Sequence, residues 1–96
     1  MIMENKRIHV RITGRVQGVY FRAETQSAAN RIGVYGWVRN ARDGSVEAVF
    51  EGREDRIREM IAWCWKGSPF SRVVEVTVSE EPYRNAFRDF QIIRTV

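Results

Sequence analysis

The chain has 96 residues, of which 44% are hydrophobic, and a formal net charge of +4 from 16 Lys or Arg against 12 Asp or Glu. That length suits one domain, residues 1–96, with apolar mass enough for a limited core. No run approaches the ~18 apolar residues of a membrane span, and the single cysteine, Cys64, excludes an internal disulfide and a multi-cysteine metal site.

The opening MIMENKR reads as too short and too polar for a signal peptide, so a cytoplasmic location is expected and residues 1–6 are expected to be a flexible lead-in. Ile8, Val10 and Ile12 alternate with His9 and Arg11, which predicts a half-buried strand. The loop GRVQGVYFR (14–22) follows. Phe21, Thr25, Ala28, Ala29 and Ile32 then recur at helical spacing, and Gly33 supplies a stop. VYGWVRNA (34–41) reads as a second strand, RDGS (42–45) as a hairpin turn built on Asp-Gly, and VEAVFE (46–51) as a third strand. Glu54 and Asp55 favour a helix start electrostatically. Ile57, Met60, Ile61 and Cys64 line one face of that second helix, which closes near Gly67-Ser68-Pro69. Val74, Val76 and Val78 alternate in a fourth strand, and FRDFQII (87–93) reads as a short final one.

The order β-α-β-β-α-β plus one strand predicts an α+β fold, a ferredoxin-like α/β sandwich. Its sheet is expected to be antiparallel, with both helices on one face. Such a fold hosts many functions, so chemistry has to come from particular residues.

The charge is unevenly spread. Residues 1–46 hold the positive excess, and fourteen of the sixteen cations are arginines, whose planar fork suits phosphate or carboxylate. A solvated basic surface is the ordinary reading of most of them. The loop in that half is more specific. It feeds a helix that starts near Phe21 with no Ser, Thr, Asp or Asn to cap it. Gly14 and Gly18 let the backbone curl, and a curled loop entering a helix N-terminus can aim several N–H groups at one anion, with Arg22 closing over it. A tight turn with solvated N–H groups fits the same residues, and composition leaves both open. The GK[ST] ending of a phosphate-binding P-loop is absent, which excludes that class of NTPase.

Few other side chains offer chemistry. His9 lies on the polar side of the first strand and reads as a surface residue. Cys64, between Trp63 and Trp65 on the core side of a helix, reads as a buried structural thiol. Asn40 reads either as a strand-end asparagine that begins the turn or as an amide that orients a water. No carboxylate cluster suggests a metal site or an acid/base pair. An anion nest, an arginine and an amide can bind a phosphoryl group, stabilise its charge and orient water. They cannot readily protonate a poor leaving group. A carboxylate needs no proton at pH 7, its conjugate acid having a pKa of about 4, so an acyl phosphate fits these tools and an alkyl phosphate ester does not.

ITGRVQGVYFR (12–22) and GWVRNARDGSVEAVFEG (36–52) resemble the two signatures of the acylphosphatase family, and the order of elements is similar over nearly the whole chain. The resemblance implies hydrolysis of acyl phosphates to a carboxylate and inorganic phosphate by in-line attack of water, with no metal, cofactor or covalent intermediate. It implies that Arg22 is the catalytic arginine on the phosphoryl oxygens and that Asn40 orients the water. It also implies that backbone N–H groups of Arg15, Val16, Gln17, Gly18, Val19 and Tyr20 cradle the phosphate. Inorganic phosphate or another anion is expected in the loop. The partner is a small acyl phosphate; no nucleic acid or membrane is expected, and the chain is expected to act as a monomer. Two other readings stay open. One is a nucleic-acid-binding sheet carrying Trp37 and Phe50, although the K/R-G-F/Y-G/A-F-V-x-F/Y pattern is absent. The other is a carrier or sensor that binds phosphate without turnover.

Overall fold

The computed structural model describes residues 4–96. Its elements are β1 (Asn5–Arg15), α1 (Phe21–Ile32), β2 (Tyr35–Asn40), β3 (Val46–Arg53), α2 (Glu54–Lys66), β4 (Arg72–Glu81) and β5 (Phe90–Ile92). The sheet order is β4-β1-β3-β2-β5, the ferredoxin-like arrangement with β5 added beside β2. β1 pairs antiparallel with β3 and β4, and β2 antiparallel with β3. Asn5 and Lys6, expected in the flexible lead-in, pair with Arg53 and Gly52. Residues 1–3 of that lead-in lie outside the described residues.

One core forms between the sheet and the helices. Ile8, Val10 and Ile12 of β1 sit opposite Phe50, Ala48 and Val46 of β3. They bury against Phe21, Ala28 and Ala29 of α1 and Ile57, Met60 and Cys64 of α2. Phe50 stacks on Phe90 with ring centroids 5.5 Å apart, and Phe21 tilts against Trp63 at 5.4 Å. Burying each large apolar side chain contributes roughly 1.5–3 kcal/mol, so the helical and strand periodicities seen in the sequence are the faces that fold.

Two expectations need correction. The sheet is mixed, because β5 runs parallel to β2, with Gly36 opposite Phe90. β4 ends at the same end of the sheet at which β2 begins, and residues 82–89 cross that end. A strand entered from there must run in the direction of β2. The alternation in β4 also breaks. Val76 is buried, but Val74 is 67% exposed while Val73 packs against the core. The register shifts between Thr13 and Gly14, and this bulge leaves Val74 outside the pairing. Gly14 has φ 120, and a Cβ there would lie 2.2 Å from Arg72 O, so β4 can come this close only to a glycine.

Candidate active site

β1 and β2 both run antiparallel to β3, so their C-terminal ends lie at the same end of the sheet. The loop over residues 16–20 leaves β1 there and enters α1. The hairpin over residues 41–45 leaves β2 beside it. Asn40 is the last paired residue of β2, opposite Val46, and shares the helix-facing side with Val38 by strand alternation. It therefore sits below the start of α1.

The loop is pinned by its apolar side chains, Val16 and Val19 being 1% and 5% exposed. Tyr20 is the residue before α1. It adopts the left-handed conformation, φ 60 and ψ 23, and makes no side-chain cap. Gly18 also has positive φ. Among the described residues, no N–H of residues 16–20 donates to a protein acceptor. The side chains that fix this loop work on other atoms. Gln17 Nε2 donates to Ala41 O at 2.8 Å and Ser45 O at 2.9 Å, and the buried Ser68 hydroxyl donates to Val19 O at 2.9 Å.

Between loop, helix start and strand end lies a cavity of about 440 Å³ whose wall includes Val16, Gly18, Tyr20, Arg22, Asn40 and Ile92. Arg22 is half-buried in the first turn of α1, and among the described residues it has no carboxylate partner. Asn40 Oδ1 is buried and meets no hydrogen-bond donor among the described residues. Leaving a buried acceptor unpaired costs about 1–3 kcal/mol, and native proteins pair nearly all of them. A loop whose N–H groups meet no protein acceptor, a guanidinium without a carboxylate and an orphaned amide oxygen thus border one cavity among the described residues. Together they can receive a tetrahedral anion and hold a water beside it.

Five of the expected site residues, Val16, Gly18, Tyr20, Arg22 and Asn40, come together in that wall. Arg15, Gln17 and Val19 are not part of it. Arg15 ends β1 opposite Arg72, and the Gln17 side chain turns to the hairpin. Ile92 was not anticipated, since its placement depends on the direction of β5. The segment after β5 continues along β2: Ile93 N–H donates to Val38 O at 2.9 Å and Val96 N–H to Asn40 O at 3.3 Å.

The hairpin is stiffened by Asp43, whose Oδ1 accepts from Ser45 Oγ at 2.6 Å and Ser45 N–H at 3.0 Å. These two bonds, with the Arg11 guanidinium, lower the Asp43 carboxyl to about 2. His9 lies on the opposite sheet face, 2.5 Å from Glu47, remote from the cavity. Burial pushes the Cys64 thiol up to about 12, so it is no nucleophile at neutral pH. Trp37 and Phe50 fall on opposite faces of the sheet. Phe50 is fully buried and the Trp37 ring carries the Arg39 guanidinium at 4.7 Å, so these two form no common stacking platform for bases. No helix of the described residues is long and apolar enough to cross a membrane.

Comparison with known proteins bears on family and fold. The family model described as acylphosphatase matches residues 8–92. An acylphosphatase of Syntrophobacter fumaroxidans is 58% identical over 90 residues, covering 94% of this chain and 93% of that protein. Among solved structures, an acylphosphatase from Coxiella burnetii superposes with a TM-score of 0.88 at 35% identity, covering 93% of each chain. One from Bacillus subtilis also gives 0.88 at 35% identity, covering 92% of this chain and 98% of that one. The match in sequence runs through both the loop before α1 and the β2–β3 hairpin, the two segments that build the cavity, and on these grounds the chain belongs to the acylphosphatase family, enzymes that hydrolyse acyl phosphates.

Proposed function

We propose that this chain hydrolyses its acyl phosphate by direct in-line attack of a water held by Asn40 on a phosphoryl group held by Arg22 and the loop N–H groups. The observation that carries this reading is the buried, donor-less Oδ1 of Asn40 in the wall of the cavity that Arg22 also lines. An amide oxygen accepts an O–H of the water and turns the water's lone pair away from itself, towards phosphorus. The fixed N–H groups and the guanidinium meet the phosphoryl oxygens and stabilise the charge spread over them. The water oxygen forms the new P–O bond, the bond to the acyl oxygen breaks, and the carboxylate leaves without needing a proton. The water's proton passes to a phosphate oxygen of the substrate.

The donor set supports a reaction without a metal: among the described residues no three His, Cys, Asp or Glu side chains gather where they could hold an ion. Turnover should therefore persist after exhaustive chelation.

Substitution of Asn40 tests the division of labour. Asn40→Ala should lower kcat roughly a hundredfold, a loss of ~3 kcal/mol of orientation, while competitive inhibition by inorganic phosphate changes little. Thermal unfolding of the same preparation controls for damage to the hairpin. A folded Asn40→Ala enzyme with near-normal kcat would refute the role of the amide.

A further inference from the structure

We propose that Gln17 is a positioning residue that sets the distance between the water held by Asn40 and the phosphate held by the loop. The inference rests on the reading of Asn40 given above.

The phosphate loop and the hairpin come from distant parts of the chain, and in-line attack needs them in fixed relation. The Gln17 carboxamide spans that gap. Its Nε2 donates to two carbonyls of the hairpin, Ala41 O at 2.8 Å and Ser45 O at 2.9 Å. Ala41 directly follows Asn40, and Ala41 N–H donates to Ser45 O at 2.8 Å. The amide thus occupies the mouth of the hairpin, where both carbonyls bracket the stem that carries Asn40. Its own backbone stands between Val16 and Gly18, both in the cavity wall.

The chemistry of the contact is selective. Two carbonyl oxygens need a group with two N–H donors and no repelling oxygen turned towards them, which an amide supplies. A carboxylate would face both carbonyls with like polarity. The other tether of the loop, from Ser68 to Val19 O, runs to the connection between α2 and β4 and leaves the hairpin free. Losing Ser68 would loosen the cradle; losing Gln17 would let Asn40 move relative to a cradle that keeps its shape. A shift of 1 Å in a reacting group can cost roughly a hundredfold in rate.

The test is a double-mutant cycle of Gln17→Met and Asn40→Ala, assayed with acetyl phosphate, with inorganic phosphate as the competitive inhibitor. Met keeps the length of the side chain and removes both donors. If Gln17 acts through Asn40, Gln17→Met should lower kcat about tenfold in the parent and less than about twofold in the Asn40→Ala background. The inhibition constant of phosphate should stay within about twofold. An equal loss of kcat in both backgrounds, or a phosphate affinity that falls with kcat, would overturn the positioning role. A wild-type kcat for Asn40→Ala would instead overturn the reading of Asn40 on which it depends. If Gln17→Met does not fold, Gln17→Asn, one methylene too short to reach both carbonyls, replaces it with the same expected pattern.

Discussion

The two ends of the sheet treat their buried polar groups in opposite ways. At the end where β1 begins, Arg7 reaches Glu51 at 3.2 Å and Glu81 at 2.8 Å and lies over the Phe87 ring at 5.2 Å. Glu51 also accepts the N–H groups of Ala86 at 2.8 Å and Arg84 at 3.0 Å. Lys6, Arg53 and Arg58 have carboxylate partners nearby. At the end where β1 finishes, Arg15, Arg22, Arg42 and Arg72 pair with no carboxylate among the described residues. The acid of the hairpin, Asp43, is taken by Ser45 and Arg11. Arg56, Arg84 and Arg88 at the first end also lack a carboxylate partner among the described residues, so the contrast lies in the buried groups: the first end buries a paired Glu51, and the second buries the unpaired Asn40 Oδ1 beside Arg22. Stability and function can therefore be broken separately.

The largest effect is expected at the paired end. Burial alone would raise the Glu51 carboxyl, but the N–H groups of Ala86 and Arg84 and the Arg7 guanidinium hold it below its ordinary value. Glu51→Ala leaves Arg7, itself only 8% exposed, with Glu81 alone and strips the N–H groups of Ala86 and Arg84 of their acceptor, at about 1–3 kcal/mol for each group left unpaired. The melting temperature should fall by on the order of 12 °C or more, while kcat of the folded enzyme well below that temperature stays near normal. A melting point within a few degrees of the parent would show that the ion pair does not hold this end.

At the open end the expected pattern reverses. Arg22→Lys keeps the charge and removes the planar fork that meets two phosphoryl oxygens. Turnover should drop on the order of a hundredfold and phosphate inhibition should weaken, with no loss in melting temperature, because no internal pair is broken. Near-parental kinetics would mean that guanidinium geometry is not used.

The smallest effect sharpens the contrast. Arg15 and Arg72 face each other across β1 and β4 beside the loop and should draw anions towards it without touching them. Arg15→Gln and Arg72→Gln should each lower kcat/KM a few-fold at low ionic strength. The difference should vanish near 1 M salt, where the Debye length is about 3 Å. A deficit that persists in high salt would mean direct contact.

Much of this was legible in the sequence, for reasons that the residues make plain. The buried faces of β1, β3, α1 and α2 are local periodicities, and a local pattern can be read locally. The uncapped start of α1 was visible as a missing residue type, and the two signature stretches named the chemistry. What escaped was set at a distance. The direction of β5 depends on where residues 82–89 cross, and Glu51 fixes that crossing from more than thirty residues away. Val74 falls outside the expected alternation because it is the extra residue of a bulge in β4, set where β4 meets Gly14 of β1, a partner some sixty residues away in the chain. The donors of Gln17 serve carbonyls 24 and 28 residues along the chain, and nothing next to Gln17 marks its side chain apart from the loop around it.

The position of β1 between β3 and β4 has a kinetic consequence. A strand that must find partners at Val46–Arg53 and again at Arg72–Glu81 closes long loops before it is rewarded, and folds dominated by such distant pairings form on the order of milliseconds to seconds. The cavity inherits that delay. Arg22 can wind into a nascent helix at once, but the cavity has its far wall only when β5 has brought Ile92 alongside β2. During synthesis, the amino-terminal half emerges carrying both Arg22 and Asn40, and the cavity between them lacks its Ile92 wall until residues 90–92 have joined β2.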